Sequence, residues 1–455
     1  MLAEQRTRFQ EFDTAEPAEA VELEQEPEPE PELVPQPVPE PEPENEEKPE
    51  KSSLLKKEIS LSFKRKPKAP KPPKAAAGEE PKEKPAGRRR KRGSSGSSGA
   101  KRAKRVVGLK IGASQLAAAR IVNNGSPELV QVAREDLDPG LVVGGELREP
   151  ELLSDALRAF FRKHKLPRQG VRLGIANNRI GVRIFEIAGI EDPKQLENAI
   201  RYRAQEALPI PIEEAVLDFH VLGERRDEEG HTVRRILLVV AYRELIDRYV
   251  AACKKAGIRL SGIDLEAFAL LRALGEPPSA DEGPADAALV VVSIGHDRST
   301  FAVSDGRVCE FTRVLDWGGH TLDVAMSREL DCAPSEAEPV KRELSLASAN
   351  VPAGLTQEQA DKAREAVRRQ LQTFARELVS SLQFYQNQPG SLGIGEIVIT
   401  GGTAHLAGLA DELQRLIGVR VAVGDPLTRV KLGRKVREAE QLGSLAVAIG
   451  LGIED

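Results

Sequence analysis

The chain has 455 residues, 40% of them apolar, which is enough for two or three domains with their own cores. Its formal net charge of −5 hides about −14 over residues 1–50 and about +16 over residues 51–105, so two opposed blocks cancel. No apolar run reaches the ~18 residues of a membrane span, the start MLAEQRTRFQEF lacks a signal-peptide core, and Cys253, Cys309 and Cys332 show neither CxxC spacing nor a histidine cluster. These features exclude a membrane-spanning, secreted disulfide-rich or zinc-module protein and predict a cytoplasmic chain with reduced thiols.

Residues 13–50, centred on PEPEPELVPQPVPEPEPENEE, have almost nothing to bury and are expected to form an extended acidic arm. Residues 64–105 are its basic counterpart, with KRKPKAPKPPK, GRRRKR and KRAKR around GSSGSSGA. That block is either a solvated tether or an attachment to anionic surfaces. Between them KKEISLSF, residues 56–63, alternates Ile59, Leu61 and Phe63 in strand fashion, as a docking strand or a chance apolar patch would.

Globular periodicity begins at residue 106. VVGLKIGASQLAAARI (106–121) predicts two strands around a glycine turn, and ELLSDALRAFFRKHKL (151–166) predicts an amphipathic helix. VRLGIANNRIGVRIFEI (171–187) predicts a hairpin across Asn177 and Asn178, and LENAIRYRAQEAL (196–208) a helix stopped by Pro209 and Pro211. RRILLVVAY (234–242) is a buried-type strand, followed by a helix ending near Gly257 and another helix, IDLEAFALLRALG, over 263–275. EPPSADEGPADA is a linker.

The plan then repeats, since ALVVVSIGHDRSTFAV (288–303) is a second strand, glycine turn and strand. A long helix carries the apolar stripe Val367, Leu371, Phe374, Leu378, Leu382 and Tyr385. The last segments give a strand, the Gly401–Gly402 turn, a helix near residue 406 and a further strand. Three glycine turns in this order would converge on one cleft, where backbone N–H groups and the positive end of the helix after Gly402 favour a polyphosphate. The histidines at 164, 220, 231, 296, 320 and 405 show no catalytic context, although His296 and Asp297 sit in the second turn within reach of a phosphate, and Trp317 is expected to be an anchor.

This order resembles the actin, heat-shock-chaperone and sugar-kinase superfamily, and within it FtsA and, most closely, the PilM proteins of type IV pilus assembly. The resemblance is carried by AIRYRAQEALPIPIEEAVLDFHVLGE (199–224), VVAYRELIDRYVAACKKAGIRLSGIDLEAFALLRAL (239–274) and VITGGTAHLAGLADEL (398–413), and it covers residues 105–455.

It implies an α/β, two-lobed, actin-like fold, of duplicated ribonuclease-H-like type, behind a disordered arm over residues 1–104. The first lobe would span 105–280, with an FtsA/PilM-type inserted subdomain (SHS2-type) at about 176–240. The second would span 281–455, with an insertion at about 320–392. Carried over residue by residue, the resemblance places ATP against Lys110, Gly112, Ala113 and Ser114, against Ser293 and the second phosphate loop from Gly295 and His296 through Thr300, and against Gly401, Gly402 and Thr403. AEPVKR (337–342) resembles the family's nucleoside-bordering helix and adds Glu338 and Lys341, for which an exposed ion pair is the simpler alternative.

The departures from the family bear on activity. Lys110 and Ser293 stand where the family has the aspartates that hold magnesium through its water shell, so no metal is expected and hydrolysis should be weak or absent. Two fates remain for Lys110: to replace the cation beside phosphate, an attraction of roughly 4 kcal/mol at about 4 Å, or to snorkel out of an emptied cleft.

The resemblance further implies a cytoplasmic scaffold at the inner face of the plasma membrane. It would bind the N-terminal tail of a PilN-type inner-membrane protein through Ile200, Tyr202, Arg203, Leu208 and Phe219, and would act with the motor ATPase and platform proteins. Anionic membrane is an expected contact of the basic arm, and nucleic acid is not an expected partner. The alternatives are an FtsA-like membrane-associated division filament and a nucleotide-hydrolysing enzyme of sugar-kinase type.

Overall fold

The computed structural model describes residues 104–207, 211–275, 286–434, 436 and 442–454. The two charged arms, the 56–63 segment, Leu208 and most of the linker lie outside the described residues.

The first apolar run folds as a meander, β1 (Lys104–Ile111), β2 (Gln115–Asn124) and β3 (Ser126–Asp136), antiparallel throughout. A ribbon of β4 (Val142–Val143) and β5 (Glu146–Leu147) leads into helix α1 (Pro150–Lys163). The buried side of α1 carries Leu153, Leu157, Phe160 and Phe161, and Pro150 begins the helix where a missing N–H costs nothing. Strand β6 (Gln169–Ile175) then enters beside β1 in parallel.

Here the chain departs from the expected hairpin. β7 (Ile180–Ala188) does not pair with β6, because both edges of β6 are taken, by β1 and by the later strand β10 (Arg259–Leu265). Asn177 directs the crossing: its Nδ2 donates to Gly144 O at 2.9 Å and its Oδ1 accepts from Arg179 N–H at 2.8 Å. β7 instead joins β8 (Ala215–Arg226) and β9 (Thr232–Tyr242) in a separate sheet of order β7-β9-β8. Helix α2 (Pro193–Ala207) covers that sheet, and their shared core includes Ile187, Leu196, Ile200, Ala204, Ile236 and Leu238.

After α3 (Arg243–Lys255) and its left-handed stop at Gly257, residues 259–265 form β10, and helix α4 begins only at Glu266 (Glu266–Leu274). The sequence reading had placed a single helix over 263–275; the parallel pairing of β10 with β6 overrides it.

The second half repeats the plan with β11 (Ala288–Ile294), β12 (Ser299–Ser304) and β13 (Cys309–Leu315), followed later by β14 (Ile394–Thr400) and β15 (Val421–Val423). Its order, β13-β12-β11-β14-β15, matches β3-β2-β1-β6-β10 in the first sheet. Between β13 and β14 run α5 (Gly319–Leu330), α6 (Pro334–Glu343) and α7 (Gln357–Gln386). The expected stripe of α7 is buried in the second core, and Trp317 stacks on Phe374 with ring centroids 4.0 Å apart.

A further departure follows Gly402. Only a single 3-10 turn, Thr403–His405, stands there, and α8 (Leu409–Ile417) begins after Gly408, whose φ of +84° breaks the helical path. No α-helix dipole therefore points into the turn from that position.

Late in the sequence, β16 (Lys431–Leu432) pairs with β3, and α9 (Ala446–Gly452) packs beneath β1 and β2, entirely buried. The approach is backbone to backbone: a Cβ on Gly108 would lie 2.0 Å from Ala448 O, and one on Gly450 would lie 1.8 Å from Ala269 O.

Candidate functional site

The two glycine-turn hairpins face each other across a cleft of about 550 Å³. Lys110, Gly112, Ala113 and Ser114 form one wall, Ser293, Gly295, His296 and Thr300 the other, with Gly401, Gly402 and Thr403 at one end and Glu338 and Lys341 at the rim. Every cleft residue singled out from the sequence lines this one space.

The geometry of each turn follows from its glycine. Gly112 N–H donates to Gln115 O at 2.9 Å and Gly295 N–H to Arg298 O at 3.0 Å, so both turns close with the same bond. The Gly401 turn is pinned to the second loop by Thr403 Oγ1, which donates to Gly295 O at 3.0 Å. A Cβ on Gly401, at φ +96°, would fall 2.3 Å from Ile294 O.

Lys110 does not snorkel out of the cleft but stays on its wall. Its ammonium lies 3.2 Å from Glu266 Oε2, with side chains 20% and 6% exposed. Glu266, the first residue of α4, is a carboxylate on the cleft wall that the sequence reading missed by running a helix through it. Its charge opposes that of Lys110, so the ammonium alone no longer measures the attraction for phosphate.

At the rim, Glu338 and Lys341 do not pair with each other, contrary to the ion-pair alternative. Glu338 accepts from Arg342 Nη2 at 2.6 Å, while Lys341 turns inward to lie 2.7 Å from Asp323 Oδ1 and donates to Gly319 O at 3.0 Å. Burial pushes the Asp323 carboxyl above its ordinary value despite that lysine. Burial likewise holds His296 below the usual imidazole range, with help from His320, whose ring centroid is 5.1 Å away, and from Lys341. Arg134, Asp136, Asp297, Arg298, Arg342, His405 and Ser444 complete the wall. Asp297 and Arg298 belong to the second loop already singled out, whereas no spacing in the sequence joins the others, which come from β3, α6, the turn after Gly402 and the segment before α9.

Among the described residues no group of three His, Cys, Asp or Glu side chains is placed to hold a metal ion. Magnesium takes carboxylate and water oxygens, whereas the ends of β1 and β11 offer the Glu266-paired Lys110 ammonium and the neutral Ser293 hydroxyl. Neither of these two side chains supplies a charged oxygen for that ion.

On the inserted sheet and helix, one of the side chains named for partner binding is buried and the other described ones are exposed. Ile200 is 1% exposed and faces the sheet with Leu196 and Ala204, so it is a core residue and no partner can reach it. Tyr202, about 200° further round the helix, is 65% exposed, and Phe219 on β8 is 37% exposed. Arg203 is exposed, and Leu208 lies outside the described residues.

Residues 108–455 match the family model described as type IV pilus assembly protein PilM. The chain belongs to the PilM family. The structure of this PilM-family chain is similar to that of a solved PilM-PilN type IV pilus biogenesis complex, with 26% identity and a TM-score of 0.63, covering 76% of this chain and 97% of that one. Cell division protein FtsA of Escherichia coli K12 is 24% identical over 212 residues, 42% of this chain and 49% of FtsA; the Shigella flexneri protein matches equally, over 47% of its length. The PilM-family chain thus spans about half the length of the curated relatives it matches. The fold is two-lobed and actin-like. No described helix is long and apolar enough to cross a membrane.

Proposed function

We propose that this PilM-family protein is an assembly scaffold of a type IV pilus machine. It holds ATP between its lobes with little or no turnover and recruits the N-terminal tail of a PilN-type inner-membrane protein through its inserted subdomain. In this reading it sits at the inner face of the plasma membrane, with its basic arm on anionic lipid, and links the platform proteins to the motor ATPase. The observation that carries the scaffold role is the family match over residues 108–455, seen beside a relative solved as a PilM-PilN complex. Low turnover is supported by the Lys110–Glu266 pair, which sets a cation where the family has a magnesium-holding aspartate.

Titration of the full chain with ATP in EDTA tests the nucleotide half. Wild type should bind without magnesium, and Lys110→Asp with Ser293→Asp should make binding magnesium-dependent. Phosphate release at an ordinary kinase rate, lost in Glu266→Gln, would overturn the low-turnover reading and establish a hydrolysing enzyme. For the docking half, a PilN-type tail peptide should bind at least tenfold more weakly to Tyr202→Ala with Phe219→Ala. Equal binding to a variant lacking residues 190–222 would defeat it.

A further inference from the structure

Cations gather without partners at one end of the first lobe. Strands β1, β6 and β10 run parallel, so Arg105, Gln169 and Arg259 stand at their starting ends. The connections that feed this end add Lys165 and Arg168, between α1 and β6, and Lys254, where α3 closes toward Gly257. Arg259 N–H donates to Arg168 O at 2.7 Å, and a Cβ on Gly170 would lie 3.1 Å from Arg105 O, so these segments abut. Arg105, Lys165, Arg168, Lys254 and Arg259 are all exposed, and among the described residues none of their side chains forms an ion pair. The carboxylates that border the face are engaged by other cations: Glu454 pairs with Lys104 and, at 3.2 Å, with Arg172, and Glu151 pairs with Lys255.

Lys165 adds a second sign. Its φ of +52° is the left-handed conformation that glycine normally supplies after a helix, as Gly257 does after α3 at φ +76°. An exposed lysine thus ends α1 where glycine would sit without strain. The chain also arrives at this face charged, because residues 101–105 read KRAKR and run directly into β1. The cleft lies at the opposite end of the same strands, lined by Lys110 and Gly112 after β1's apolar run and by Glu266 after β10. At about 3.3 Å per residue, the strands set the two ends about 20 Å apart.

We propose that this basic end of the first lobe is a docking face for an anionic lipid bilayer, and that docking there turns the cleft away from the membrane. The inference extends the membrane-side placement above from the arm to the folded lobe, and it rests on that placement. Each Lys or Arg near an anionic surface contributes about fivefold in affinity, and cations fixed on one face add an orientation that a tether alone lacks. Lipid phosphates answer the charge that the bordering carboxylates leave unmatched. Nucleic acid suits the face less well. The exposed aromatic side chains Tyr202, Phe219 and Phe384 lie on other segments, so among the described residues no base-stacking platform accompanies these cations.

The test is cosedimentation of the full chain with phosphatidylglycerol–phosphatidylcholine vesicles at low salt. Wild type is compared with a face variant, Arg105→Gln with Arg168→Gln and Arg259→Gln, and with a control of equal net charge in the second lobe, Arg313→Gln with Arg328→Gln and Arg376→Gln. Expected is at least a tenfold loss of vesicle affinity in the face variant and affinity within twofold of wild type in the control. Vesicles should also protect residues 165–170 and 256–259 of wild type from hydrogen exchange, and leave residues 112–115 unprotected. Absence of that protection overturns the proposal whether or not the face variant folds. Face-variant affinity within twofold of wild type, with binding lost on deletion of residues 64–103, overturns the docking face and leaves the arm as the membrane contact. Equal losses in face and control variants reduce the effect to net charge and overturn the face as well. Wild type that binds duplex DNA but no phosphatidylglycerol vesicles assigns the face to nucleic acid, and sinks both the proposal and the membrane-side placement.

Discussion

Lys110 and Glu266 meet on the cleft wall from strands and helices far apart in the chain, and each depends on the other for a counter-charge. Lys110→Met leaves a buried carboxylate alone and should cost about 3 kcal/mol in urea unfolding, whereas Lys110→Met with Glu266→Leu should recover most of that loss. Half of this pair was legible in the sequence: Lys110 stands out because the apolar strand and glycine turn around it define where an anion would sit. Glu266 was hidden, since an acidic residue at the start of a helix is ordinary and only the parallel pairing of β10 with β6 carries it to the cleft. His296 gives a pH prediction. Its folded-state affinity for protons is lowered by burial, then by His320 and Lys341, and partly restored by Asp323 and Asp297. The unfolded chain therefore takes up a proton first as pH falls below about 6.5, and stability should drop from there toward the depressed folded value. Thermal melts between pH 8 and 5 should show a smaller acid loss in His296→Asn than in wild type, with His405, shifted the same way, supplying a remainder.

Elements were legible where a single pattern sufficed. The stripe of α7 appears as expected because its apolar positions face one core, and both glycine-turn hairpins because their strands are buried on both faces and read as continuous apolar runs. The 171–187 segment misled for a physical reason: alternating strands around Asn177–Asn178 satisfy hairpin rules locally, and only the occupancy of both β6 edges sends β7 to another sheet. Helix α2 shows the same limit at one residue's scale. Ile200 and Tyr202 share one matched motif, yet they point to opposite sides of the helix. Ile200→Ala should therefore destabilise the protein by about 3 kcal/mol, while Tyr202→Ala should stay within roughly 0.5 kcal/mol in the same chemical unfolding assay.

At the scale of the whole molecule, the inserted sheet is tied to the second lobe through Glu310 on β13. That carboxylate pairs with Arg235 of β9 at 2.9 Å and accepts from the buried Tyr385 hydroxyl at 2.6 Å. Glu310→Ala should cost about 2 kcal/mol and speed hydrogen exchange in β7 and β9, because it removes an ion pair and strips an acceptor from Tyr385 together. Exchange unchanged in those strands would show that the junction is held elsewhere.

Helix α9 has a consequence for how the molecule is made. Asn123 of β2 donates to Gly452 O, 329 positions further along, and Ala117, Ala119 and Ile121 share a core with Ala448 and Ile449. A nascent chain emerges in order, so the first half waits on the ribosome with the apolar underside of its sheet uncovered until residues 446–452 arrive. Ser444 likewise reaches Arg134 on the cleft wall only then. Chains stopped short of this helix would show chaperones and proteases an open sheet, so the cleft is finished only once residues 444–452 are in place.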